Sequence, residues 1–195
     1  MTVPNIALVG RARAGKDTLA AQLVKAHAYT RVAFADPLKD VVLGADPIVD
    51  ADPGHFGYLP LRISQVVKRE GWEKAKSRPE VRRTLQAVGQ AVRDVDPEFW
   101  VRLALDRIEV AAQWNLPVVI TDCRYANEAN ALRLNGFKLV RVLRPGAHES
   151  GVSEANSQHV SETELDVFPT DATVLNTGTV ADLGSQVEGL LRTLA

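Results

Sequence analysis

An α/β fold, with a central parallel five-stranded sheet covered by helices, is predicted by three observations in this chain of 195 residues. Five short apolar runs are each bounded by Gly, Pro, Asp or Asn. Helical periodicity fills the stretches between them. The first run feeds straight into a glycine-framed turn. Strands alternating with helices imply parallel pairing with both faces of the sheet covered. Right-handed crossovers then collect the C-terminal ends of the strands on one rim, where ligands bind.

The predicted strands are Ile6–Val9, Arg31–Phe34, Pro117–Thr121, Leu139–Leu143 and Thr173–Leu175. Leu19, Leu23 and His27 share one face of the first helix. Val81, Leu85, Val88, Val92 and Val95 recur at helical spacing, as do Trp100, Leu103, Ala104, Ile108 and Ala111. Leu183, Val187, Leu190, Leu191 and Leu194 form a closing amphipathic helix. The block from Ser64 to Trp114 reads as a helical subdomain inserted between strands 2 and 3. Ala45–Leu61 is rich in Pro, Gly and Asp and reads as loop. Pro145–Ser161 is polar and reads as a second long loop, placed to act as a lid.

Composition narrows the function classes. With 46% hydrophobic and 24% charged residues the chain is ordinary globular material for one core. The formal net charge of −1 argues against coating nucleic acid or membrane through bulk positive charge. Charge is unevenly spread: Arg62–Arg107 holds eleven Lys or Arg against seven acids, whereas Gly146 onward holds eight acids and one base. That pattern suits an anion-attracting cleft. The single Cys123 excludes an internal disulfide and a Cys-rich zinc site. No apolar run approaches the roughly 20 residues needed to span a bilayer. Met1–Gly10 is too short and too soon broken for a secretory signal. A cytoplasmic location is expected.

The strongest chemical signal is Gly10-Arg11-Ala12-Arg13-Ala14-Gly15-Lys16-Asp17-Thr18, which follows the first strand and opens the first helix. The spacing G-x-x-x-x-G-K is that of a phosphate-binding loop. Gly10 and Gly15 admit backbone conformations that other residues resist. The resulting nest of N–H groups, with Ala14 in its wall and the helix N-terminus behind it, suits a polyphosphate. Lys16 adds a mobile charge for the outer phosphates. The position after the lysine, normally Ser or Thr for Mg²⁺, holds Asp17, with Thr18 next. Either one can take the ion, and Asp17 is favoured. Arg11 and Arg13 are placed to stabilise charge on a transferred group or to face solvent.

Other candidates sit at strand ends. Asp122 closes the third strand, where a carboxylate reaches a magnesium ion or serves as base. Arg124 lies just beyond it, and Asn127 and Glu128 either serve the site or cap the next helix. Asp36 reads as an N-cap with Pro37 at N1, and Lys39 stands in the first turn. Arg93, near Trp100, is suited to gripping phosphate, with Trp100 either stacking a base or serving as core. Arg144 follows the fourth strand directly. Four scattered His show no zinc spacing, and no G-x-S-x-G elbow is present. The constellation points to a small nucleotide-type kinase, which aligns a γ-phosphate with an acceptor and needs no nucleophilic side chain.

The chain resembles the phage-type deoxynucleoside monophosphate kinases of the P-loop kinase superfamily. The resemblance runs through Gly15-Lys16-Asp17-Thr18, Asp36-Pro37-Leu38-Lys39, Leu85-Gln86-Ala87-Val88-Gly89 and Phe99-Trp100-Val101. It continues through Asp122-Cys123-Arg124 with Asn127-Glu128, Val142-Leu143-Arg144-Pro145, His159-Val160-Ser161-Glu162 and Val174-Leu175-Asn176. It implies a single three-layer P-loop kinase domain over 1–195, with a substrate-binding helical insertion about 60–114 and a lid about 145–161. It implies transfer of the ATP γ-phosphate, with Mg²⁺, to a deoxynucleoside 5′-monophosphate. In that scheme Gly10, Arg11, Arg13, Ala14, Gly15, Lys16, Asp17 and Thr18 bind ATP, and Asp17, Thr18 and Asp122 serve the metal. Lys16, Asp122, Arg124 and Arg144 are catalytic, and Asp36, Lys39, Arg93, Trp100, Arg124 and Glu128 serve the acceptor. Gln90-Ala91 stands where such enzymes often have Thr-Asp, which bears on base preference. No nucleic acid polymer and no membrane partner is expected, and a homodimer stays open. If the chain is phage-encoded, the host cytoplasm is its expected place. The closest enzyme alternative is a phosphomevalonate-kinase-like protein, whose loop also carries Lys-Asp. A dephospho-CoA kinase would usually have Ser or Thr after the lysine. A non-catalytic nucleotide switch is the third reading, although no N-K-x-D guanine motif is present.

Overall fold

The computed structural model describes residues 3–54, 57–145 and 164–194. In chain order the elements are β1 Ile6–Val9, α1 Lys16–His27, β2 Thr30–Val32, α2 Ala35–Ala45, β3 Ile48–Gly54 and β4 Gly57–Arg62. There follow α3 Ile63–Ala75, α4 Pro79–Val95, α5 Phe99–Gln113, β5 Val118–Ile120 and α6 Ala126–Leu134. β6 Lys138–Leu143, β7 Ala172–Leu175 and α7 Val180–Leu194 complete the chain. The chain forms two compact units, 1–34 with 104–195, and 35–103.

The first unit is built on a five-stranded sheet in the order β2-β5-β1-β6-β7. Every pairing is parallel, with Ile6 opposite Val119 on one side and Lys138 on the other. β1 is therefore the central strand, and all four of its residues are buried. Its pleat turns Ile6 and Leu8 toward a cluster with Leu19 and Leu23 of α1 and Leu183, Val187 and Leu190 of α7. Each such side chain contributes about 1.5–3 kcal/mol by leaving water. The periodicities of α1 and α7 predict these buried faces. All five predicted strands are present, with ends that match to within two residues. β2 is the clearest case, stopping at Val32 because Phe34 N–H leaves the ladder and donates to Asp122 Oδ1 at 2.9 Å.

α7 begins with a reciprocal cap. Asp182 Oδ2 accepts from Thr179 N–H and from Thr179 Oγ1, both at 2.7 Å, while Asp182 N–H donates back to Thr179 Oγ1 at 3.2 Å. The Thr179 hydrogen bonds hold the Asp182 carboxyl below its ordinary range. A depressed folded value means that this cap stabilises fully above the unfolded carboxylate range, about 4. The contribution is lost as pH falls through the lower folded value. Asp182→Asn should therefore flatten part of the acid limb of a melting-temperature profile, and an unchanged limb would refute the assignment.

The second unit differs from the sequence expectation first in its strands. Ala45–Leu61, expected as loop, holds the antiparallel hairpin β3–β4, paired from Ile48 opposite Arg62 to Gly54 opposite Gly57. Pro53 and Pro60 disguise it, yet a two-stranded ribbon is all edge and tolerates residues without an N–H. Val49 and Leu61 anchor it in a small core with Val42, Ile63, Val66, Ala75 and Val81. Arg78 bridges Asp50 and Glu70, and Arg69 pairs with Asp52 at 3.0 Å. α3 is interrupted at Gly71, whose φ of 73° is the left-handed conformation glycine favours. In α4, Val81 is buried and Leu85 and Val88 pack on this core, but Val95 is 88% exposed at the helix end.

Candidate active site

The loop leaving β1 has the backbone that its glycines imply. Gly10, Arg13 and Gly15 have φ of 137°, 63° and 102°. Left-handed residues interleaved with others turn successive N–H groups toward one concave side. Arg11 O accepts from Ala14 N–H at 3.3 Å and from Lys16 Nζ at 2.9 Å. Gly10 O accepts a second Lys16 Nζ hydrogen bond. Lys16 is only 8% exposed, so its ammonium is held against the loop's own carbonyls. Asp17 is exposed and Thr18 half-buried in the first turn of α1.

Two side chains from the last third of the chain grip this loop. Asp166 accepts from Arg11 Nε at 3.1 Å and also from Nη2, a forked ion pair. Asn176, directly after β7, donates from Nδ2 to Ala14 O at 2.9 Å. A Cβ on Gly15 would lie 2.3 Å from that same Nδ2, so Gly15 is required by its neighbour as well as by its φ.

Asp122 follows β5, the strand beside β1. Arg124 N–H and Tyr125 N–H donate to Glu128 Oε2 at 2.8 and 3.2 Å. Glu128 is 1% exposed, so its carboxylate caps the start of α6 from inside the protein. Glu164 adds a second acceptor, taking Ala126 N–H at 2.7 Å. Burial pushes the Cys123 thiol well above its usual range, with Glu128 and Asp122 adding to the effect. A thiol so placed is no nucleophile at neutral pH. Arg144 is exposed just after β6. The loop, Asp122, Arg144 and Asn176 thus share the C-terminal edge of the sheet. The proposed lid falls on 145–161, of which 146–161 lies outside the described residues.

In the second unit Asp36 is not an N-cap. α2 starts at Ala35, and Asp36, inside its first turn, accepts from Lys39 Nζ at 2.7 Å. Arg93 lies in the last turn of α4. Trp100 is 2% exposed, stands edge-on to Phe99 at 4.9 Å and donates Nε1–H to Gly89 O at 3.2 Å. It is core in this unit, as an aromatic at helical spacing usually is. Reading from sequence passed over Asp166 and Glu164, and met Asn176 only within the resemblance. Their one local signal is position: Asn176 ends a buried strand, where a polar side chain needs a partner.

Among the described residues, no group of three or more His, Cys, Asp or Glu is arranged to hold a metal ion. No helix among them is long and apolar enough to cross a membrane.

A parallel sheet in this order, with a lysine-bearing phosphate loop on its central strand, defines a P-loop kinase fold. The solved dephospho-CoA kinase from Campylobacter jejuni shares that fold at a TM-score of 0.53, covering 100% of this chain and 99% of that one at 9% identity. The deoxynucleotide monophosphate kinase family model matches residues 59–187, more than half of the chain, and the chain belongs to that family of kinases. The match begins downstream of the phosphate loop, so loop and match are independent observations. The deoxynucleotide monophosphate kinase of Escherichia phage RB69 is 27% identical over 148 residues, 74% of this chain and 58% of that enzyme. An uncharacterized protein, ORF76, of Ictalurid herpesvirus 1 (strain Auburn) is 28% identical over 183 residues, 91% of this chain and 73% of that protein. The chain thus spans little more than half the length of the phage relative.

Proposed function

We propose that this chain transfers the γ-phosphate of ATP to a deoxynucleoside 5′-monophosphate, giving ADP and the diphosphate. The observation that carries the proposal is the loop itself: three left-handed residues around a lysine held at the loop's carbonyls. Family membership supports a deoxynucleoside monophosphate as the acceptor. In this scheme the N–H groups of the loop hold the β- and γ-phosphates, and Lys16 leaves its carbonyl partners for the phosphate oxygens. Arg144, and Arg11 from its fork with Asp166, spread positive charge over the transferred group. Arg13 lies at the loop's rim. Arg124 serves the acceptor, with Glu128 fixing the backbone beneath it.

The donor chemistry fits magnesium. That ion is usually held by one or two carboxylates plus substrate phosphates rather than by an all-protein cage. Asp17, Thr18 and Asp122 are hard oxygen donors of that kind, and Asp122 Oδ1 is oriented by Phe34 N–H. Bound there, magnesium would neutralise charge developing on the phosphates. Asp122 would also orient the acceptor oxygen.

An ADP-release assay over all common deoxynucleoside monophosphates, with phosphomevalonate as a contrasting acceptor, tests the proposal. Release stimulated by at least one deoxynucleotide is expected. Release no faster than without acceptor would refute it, and stimulation by phosphomevalonate alone would transfer the chain to the other reading. Arg144→Ala should lower kcat by about 10²-fold while leaving ATP affinity within about threefold, since it removes a donor aimed at the transition state. Unchanged turnover would remove Arg144 from the site.

A further inference from the structure

We propose that Asn176 is a positioning residue that fixes the peptide between Ala14 and Gly15 with its N–H turned into the phosphate nest. The inference rests on the phosphate-loop reading above and assigns a role to a side chain that does not itself face a phosphate.

Three observations meet at this peptide. Asn176 Nδ2 lies 2.9 Å from Ala14 O. A carbonyl only accepts, so the side-chain group facing it must be the NH₂ end of the amide. The bond is buried, with Asn176 8% exposed. Asn176 is itself held by the sheet, since its backbone N–H donates to Leu143 O at 2.7 Å and so extends the β6–β7 ladder by one step. It is therefore a fixed reference point, unlike a loop side chain.

The chain contains no cis peptide among its described residues, so the Ala14 C=O and the Gly15 N–H point in opposite directions. Holding the carbonyl toward β7 turns the N–H toward the opposite, concave side of the loop. Gly15 has a φ of 102° and, as glycine, is nearly as content on the other side of zero. Nothing in Gly15 itself prevents the peptide from flipping and presenting a carbonyl to the phosphates. Asn176 supplies that restraint. The same contact explains why a side chain is excluded at Gly15, where a Cβ would lie 2.3 Å from the amide nitrogen. Electrostatic stabilisation of a phosphate depends on dipoles set before it arrives, so a free flip would weaken binding and transfer together.

The test uses the full chain, inorganic triphosphate and ATP as probes, and the ¹⁵N–¹H resonance of Gly15 as reporter. In the wild-type protein the Gly15 resonance should move in step with triphosphate binding. Asn176→Ala removes the donor, and Asn176→Asp replaces it with a group that repels the carbonyl. Both should weaken triphosphate and ATP binding by about tenfold or more, the scale of one lost hydrogen bond. The acceptor KM should stay within about twofold. Melting temperature separates this from simple unfolding, and the wild-type Gly15 shift stands whether or not a variant folds. A Gly15 resonance unmoved in a wild-type protein that binds triphosphate would overturn the inference alone. Folded variants that bind triphosphate like wild type would do the same. Failure of the wild-type protein to bind triphosphate or ATP would overturn the phosphate-loop reading with it.

Discussion

Lys16→Met should lower phosphoryl transfer by about 10²–10³-fold, the usual cost of deleting one group aimed at developing charge. The protein should remain folded. Lys16 is buried, and its ammonium donates to Gly10 O and Arg11 O. Methionine keeps most of the stem's volume and loses the charge. The measurement is ADP release at saturating ATP and acceptor, set beside a thermal melt. Turnover within tenfold of wild type would remove the lysine from the centre of the scheme, and with it the functional reading of the loop. A large fall in melting temperature would instead make the lysine a brace for the loop, with its carbonyl contacts the reason.

Gly10→Ala should be the most damaging small substitution in stability. A Cβ there would lie 2.4 Å from Val142 O, a backbone atom of β6 fixed by its ladder, at a residue whose φ is 137°. Neither the strand nor the backbone angle yields cheaply. A loss of about 2–4 kcal/mol is expected, about 1–3 from the disfavoured backbone and the rest from the contact. In a chain of this size that corresponds to a drop of roughly 5–15 °C in melting temperature. Gly44→Ala is the control, because nothing lies within 4 Å of a Cβ at Gly44. That glycine sits in α2, where alanine is the better helix former, so the control should be neutral or slightly stabilising. Equal melting temperatures for the two variants would show that β1 and β6 are not packed as described.

The parallel sheet was legible because buried parallel strands announce themselves as short, continuous apolar runs, and β1 and β5 are of that kind. The phosphate loop was legible because its spacing, the strand before it and the helix after it all agree. The hairpin was hidden because its strands carry Asp50, Asp52, Pro53 and Pro60, residues that punctuate structure elsewhere. Its ion-pair partners Arg69 and Arg78 lie 17 and 28 residues from Asp52 and Asp50, and the core that Val49 and Leu61 enter comes from other elements, so neither leaves a local pattern. Asp36 illustrates a different failure. Asp-Pro is a sound helix-start signal, but α2 begins one residue earlier and turns the carboxylate to Lys39. Within the candidate site, the residues that form the loop were readable and those that hold it were not. Asp166 is 155 positions from Arg11, and Asn176 is 162 from Ala14. No periodicity connects such pairs; only the fold does.

The strand order has a consequence for biosynthesis. β1 is made first, yet its ladder partners β5 and β6 begin at residues 118 and 138, and Asn176 comes later still. A nascent chain must hold its first apolar strand unpaired through more than a hundred residues of translation, a topology that slows folding. On the proposed reading, a chain arrested before about residue 176 lacks the side chain that fixes the Ala14–Gly15 peptide, so nucleotide should stabilise it less than it stabilises the full chain.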